Sequence, residues 1–106
     1  MTTSLAPATV PPYLATLSVD LRACAVLDAS GSVVAGDPAL GGRAWALLGG
    51  AATGEAVTTG CRPSAAGHLL SARNRRFTVV AEAGPLTLTT VLIEDLERVL
   101  RALSSG

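Results

Sequence analysis

The chain has 106 residues, enough for one hydrophobic core and too few for two. Eight arginines balance eight aspartates and glutamates, so the basic excess of a phosphate-binding surface is missing and nucleic acid is not an expected partner. Hydrophobic residues make up 49% and charged residues 15%, yet no apolar run approaches the length that spans a membrane, and no membrane insertion is expected.

Met1 to Val10 is polar and alanine-rich, and is expected to be a flexible N-terminal segment ahead of one domain over residues 11–106. Pro11-Pro12 can open a helix, because the first turn does not use their missing N–H groups. Tyr13, Leu14, Leu17 and Leu21 recur behind them at near-helical spacing. Arg22 to Asp28 reads as a strand, and Asp28-Ala29-Ser30-Gly31 as a turn into a second strand over Ser32 to Ala35. Gly31 supplies a turn conformation that a Cβ resists. Asp37 is placed to cap a helix starting at Pro38, and Gly49-Gly50 to end it after about three turns. Gly41-Gly42 inside that helix is either a weak point, at about 1 kcal/mol per glycine relative to alanine, or a place where another backbone comes close.

Gly54 to Cys61 favours a strand through Val57, Thr58 and Thr59, and Arg62 to Gly67 reads as a turn because Pro63 disfavours a central ladder position. His68 to Arg73 follows as a strand and Asn74-Arg75 as a tight turn, with Arg73, Arg75 and Arg76 read as a solvated hairpin tip. Arg76 to Ala83 is the clearest strand, with Phe77, Val79 and Ala81 on one face and Thr78, Val80 and Glu82 on the other. The last segment predicts a helix from Pro85 to Leu103, with Leu88, Val91, Leu92, Leu96, Val99, Leu100 and Leu103 on one face. The alternation of Pro85 to Val91 leaves open a strand over Leu86 to Thr90, with the helix then beginning near Ile93. The order α-β-β-α-β-β-β-α packs most economically as an α+β domain with one five-stranded antiparallel sheet. Simple hairpins, with the first strand set beside the fifth, give the strand order 2-1-5-4-3.

Little in this list carries chemistry. The one nucleophile–base pair is Cys61 with His68, with Asp28 as a remote orienting carboxylate. Cys24, Cys61 and His68 are too few and too unevenly spaced for a zinc site, and Cys24 is most simply a small buried hydrophobe. Gly49 to Gly54 has the glycines of a phosphate loop but no lysine after them, and Glu94-Asp95 falls on the polar side of a helix. No catalytic activity, cofactor or metal is therefore expected. Met1 to Pro12 has neither the basic start nor the long apolar core of a secretion signal, which makes the cytoplasm the expected location. The apolar excess has two readings: alanines that suit core and surface alike, or a face buried by self-association.

Three stretches, the hairpin AVLDASGSVVAGD at Ala25 to Asp37, the strand RFTVVAEAG at Arg76 to Gly84 and the helix LIEDLERVLRAL at Leu92 to Leu103, give the chain a resemblance to the roadblock family. These dynein light-chain-like domains share a profilin- and longin-like architecture, and their hairpin often carries a D-x-x-G turn, matched here by Asp28 to Gly31. The resemblance implies a non-enzymatic homodimer whose second helix and neighbouring strand form a continuous surface across the two-fold axis. Leu40, Arg43, Trp45, Leu47 and Leu48 are then the candidate dimer-interface residues. It further implies an adaptor or regulatory role in a bacterial signalling complex, with a small Ras-like GTPase as partner. The alternative reading is a PAS- or GAF-like small-molecule sensor, which needs an apolar pocket with a few convergent polar groups.

Overall fold

The computed structural model describes residues 6–18, 20–49 and 56–104. A short 3-10 turn (Pro7–Thr9) leads into α1 (Val10–Leu17), followed by β1 (Leu21–Asp28), β2 (Val33–Gly36), α2 (Pro38–Leu48), β3 (Thr58–Ser64), β4 (Gly67–Arg73), β5 (Phe77–Ala83) and α3 (Thr89–Ser104). All strand pairs are antiparallel, in one sheet of order β2-β1-β5-β4-β3. The α+β class, the element order and the strand order match the expectation from sequence.

The two faces of the sheet are covered unequally. On one face Val10 and Leu14 of α1 and Leu92, Leu96, Val99, Leu100 and Leu103 of α3 bury Cys24, Val26, Leu70, Val79 and Ala81. On the other, α2 alone sets Leu40 and Ala44 over Ala25, Leu27, Leu69 and Val80. Strand β5 lies between β1 and β4, and its side chains alternate between these two clusters. That explains why Val79 and Val80 are both fully buried: neither face of a central strand meets water.

Several boundaries differ from the sequence reading, each for a local reason. Within the expected N-terminal segment, Pro7–Thr9 is helical and Val10 begins α1 as a fully buried side chain; residues 1–5 lie outside the described residues. Strand β3 runs on through Arg62, Pro63 and Ser64, and the turn falls at Ala65-Ala66. Pro63 is tolerated because β3 is an edge strand, where one missing donor costs no central ladder bond. The expected strand residues 54 and 55 lie outside the described residues.

The start of α3 is the largest correction. Residues 85–88 form a turn, neither helix nor strand, and the helix begins at Thr89. Asp20, far upstream in sequence, holds this turn. Its carbonyl accepts from Gly84 N (2.9 Å), while its carboxylate accepts from Leu86 N (3.3 Å) and from Thr87 Oγ1 (3.5 Å). Leu88, ahead of the helix, and Val91, in its first turn, both stand exposed, at 74% and 52%.

Candidate protein-interaction surface

Helix α2 is defined by its caps. The Asp37 carboxylate accepts from Ala39 N (2.9 Å) and Leu40 N (3.4 Å), Pro38 fills the first turn, and Gly49 closes the helix in the left-handed region (φ 75°). The paired glycines have different roles. A Cβ on Gly41 would run into the Val33 side chain, so this glycine lets α2 settle closely onto β2, whereas Gly42 faces open space.

The five candidate interface residues fall into different environments. Leu40 is 1% exposed and belongs to the core beneath α2, so it is a packing residue and not a surface one. Trp45 is half-buried over the β1–β2 turn, where a Cβ added to Gly31 would come within 2.5 Å of the indole. Gly31 (φ 88°) therefore answers two demands, the turn and the ring above it. Leu48 is partly buried at the end of the helix. Arg43, itself exposed, reaches the largely buried Glu82 on β5 at 3.8 Å, a loose ion pair worth little by itself. Leu47 is 53% exposed. It is the large apolar side chain of α2 that points at solvent.

Beside Leu47 lies a groove of about 110 Å³, walled by Ala44, Leu47 and Leu48 of α2 and floored by Gly60, Leu69 and Ser71 of β3 and β4. It exists because α2 packs over β2, β1 and β5 and stops short of the β3 side of the sheet. Arg73 fixes that end of the helix. It is buried rather than part of a solvated tip, and its guanidinium donates to the Leu48 carbonyl at 3.3 Å. A cation on the last carbonyls of a helix also opposes the negative end of its dipole. Asn74 makes the turn after Arg73 by accepting from Arg76 N and Phe77 N, both at 2.9 Å. The groove opens onto β3, one edge of the sheet.

The chemical constellations weighed from sequence are not brought together. Cys61 and His68 share a face of the β3–β4 ladder as diagonal neighbours, because Cys61 pairs with Leu70 and His68 with Pro63. Asp28, however, pairs with Phe77 at one end of β5, while His68 pairs with Ala83 at the other, about 20 Å away at the usual strand rise. The Asp28 carboxylate is also occupied, accepting from Ser30 Oγ (2.7 Å), Ser30 N (2.9 Å) and Ser32 N (3.1 Å). These bonds, led by the Ser30 hydroxyl, hold its pKa below the usual aspartate range. Cys24 and Cys61 are free thiols lying three strand spacings apart, about 14 Å, beyond disulfide reach. Burial, and then the Asp37 carboxylate, push the Cys24 thiol upward, which suits an inert core residue. Among the described residues no cluster of three or more His, Cys, Asp or Glu side chains could hold a metal, and no helix is long and apolar enough to cross a membrane.

Comparison with protein-family models, with curated proteins and with solved structures gives no match to this chain.

Proposed function

We propose that this chain is a cytoplasmic, non-enzymatic homodimeric adaptor of roadblock type, with α2 and the edge strand β3 as its dimer face and a small Ras-like GTPase as the partner it scaffolds or regulates. The observation that carries this reading is the strip beside α2: an exposed Leu47, a small groove next to it lined by both apolar and polar residues, and the edge strand β3 bordering both. A second copy offers all three in return, as a two-fold interface requires. An edge strand can also extend its sheet into a partner through main-chain hydrogen bonds. The observed fold agrees with the architecture implied by the hairpin, strand and helix that resemble the family. Two free thiols suit a reducing compartment. The sensor alternative would place a ligand between sheet and helices, where Val26, Leu70, Val79 and Leu96 are already fully buried within one cluster.

Leu47 is the residue to test, because Trp45 also braces the β1–β2 turn and its loss would confuse folding with association. Light scattering of the Leu47→Asp variant, with circular dichroism as a control for folding, is expected to show a lower mass than wild type with unchanged secondary structure. An unchanged mass would remove α2 from the interface and with it this reading.

A further inference from the structure

A second apolar surface lies on the opposite side of the sheet, where α1 ends and α3 begins. Leu86 and Leu88 are 88% and 74% exposed, and Val91 (52%) and Leu17 (41%) line the same hollow. Four of the seven large hydrophobic side chains exposed among the described residues, Leu17, Leu86, Leu88 and Val91, thus line one hollow. From their fractional exposures these four residues leave roughly 400–500 Å² of surface, the size of the largest, often functional, patch on an ordinary monomer. That hollow, of about 270 Å³, lies between Leu17, Asp20, Leu88 and Val91.

The exposure of the two leucines is built in. Asp20 holds Leu86 N and Thr87 Oγ1, and Thr87 N donates to the Gly84 carbonyl at 3.2 Å, so the turn is tied to the protein by its backbone while Leu86 and Leu88 project outward. Two leucines held in water beside a hollow lined by two further exposed apolar side chains mark a surface suited to an occupant.

We infer that this occupant is a second copy of the chain, joined through an isologous contact between the α1–α3 patches, distinct from the α2–β3 face. Three observations select a second copy. The patch carries both a projection and a hollow, so a two-fold exchange can seat Leu86 and Leu88 of one copy against the hollow of the other. Its size fits, because roughly 400–500 Å² of exposed leucine and valine surface supplies the centre of an interface that buries roughly 800 Å² per partner. Its charges fit as well. Asp20 is paired with Arg22 (3.1 Å) and Asp95 with Arg98 (3.3 Å), so these carboxylates do not oppose an identical patch and do not select a basic partner. Two different isologous faces on one protomer let dimers join into tetramers or longer assemblies.

The test is the mass of the full chain by light scattering across a concentration series, for wild type, Leu88→Asp, Leu47→Asp and the double variant. Both substitutions fall at exposed positions and should leave folding intact, which the circular dichroism melt of each variant checks. The expected result is a wild-type mass that rises with concentration to at least twice that of Leu88→Asp, with the double variant monomeric. Leu86→Asp should reproduce the effect of Leu88→Asp, and amide protection at residues 86–91 should rise with concentration in the wild type only. If Leu88→Asp and Leu86→Asp match the wild-type mass at every concentration, the inference is overturned, whatever Leu47→Asp does. If Leu47→Asp alone has no effect, the α2–β3 dimer fails while the α1–α3 contact stands.

Discussion

Single side chains in this protein are most informative where they bind backbone far from themselves. Asp20 is the clearest case, holding residues 84–87 from the far side of the sequence. Replacing it with alanine removes a charged acceptor from a half-buried site and should cost about 1–3 kcal/mol in a denaturant melt. Faster hydrogen exchange at Leu86 N should accompany the loss. Asp28 has a similar role locally, at the β1–β2 turn. Its folded pKa is depressed, so the stabilisation it gives is fully present above the unfolded aspartate value and lost as pH falls through the lower folded value. A carboxyl NMR titration should therefore place its midpoint below that of a free aspartate, and Asp28→Asn should flatten the stability profile below about pH 4 while changing its shape little above it. The turn at Asp28 was legible in the D-x-x-G pattern, though not the carboxylate bonds to Ser30 and Ser32 that hold it. Those of Asp20 were not, because nothing in the residues around Pro85 announces a carboxylate arriving from beyond the first strand.

At the scale of elements, helix α2 shows what a sequence pattern can and cannot separate. Its caps, Asp37-Pro38 and Gly49, are local chemistry and could be read directly. The glycine pair could not be divided that way, since only packing distinguishes a residue facing Val33 from one facing water. Alanine at the two positions should act in opposite directions. Gly42→Ala is expected to stabilise by about 0.5–1 kcal/mol through helix propensity, and Gly41→Ala to destabilise by about 1–3 kcal/mol through overpacking against β2. Paired thermal melts would check both signs. Helix α3 shows the reverse case. The leucine stripe from Leu92 to Leu103 is a strong periodic signal and is buried as expected, with Asp95–Arg98 and Glu97–Arg101 pairs on its solvent side. The same periodicity continued backward through Val91 and Leu88, and the pattern alone could not show that the helix starts after Leu88 or that Val91 in its first turn stays exposed. Leu96→Ala in the middle of the stripe should cost about 2–5 kcal/mol, measurable by chemical unfolding.

For the molecule as a whole, the strand order could be inferred because hairpin connections leave few ways to join a two-stranded and a three-stranded unit. The interaction surfaces were less visible from the residues. Leu40 and Leu47 are the same residue type on the same helix, one in the core and one in water, and that difference depends on how far α2 extends across the sheet. The order β2-β1-β5-β4-β3 also has a kinetic consequence. The strand that joins the two halves is the last to be made, so β1 cannot find its inner partner until residues 77–83 exist. Pairing across so long a stretch must first overcome the entropy of closing it, which slows folding relative to a domain of local contacts. Until then the β1–β2–α2 unit waits with one flank of β1 open, a period in which an emerging chain is vulnerable to pairing with its neighbours.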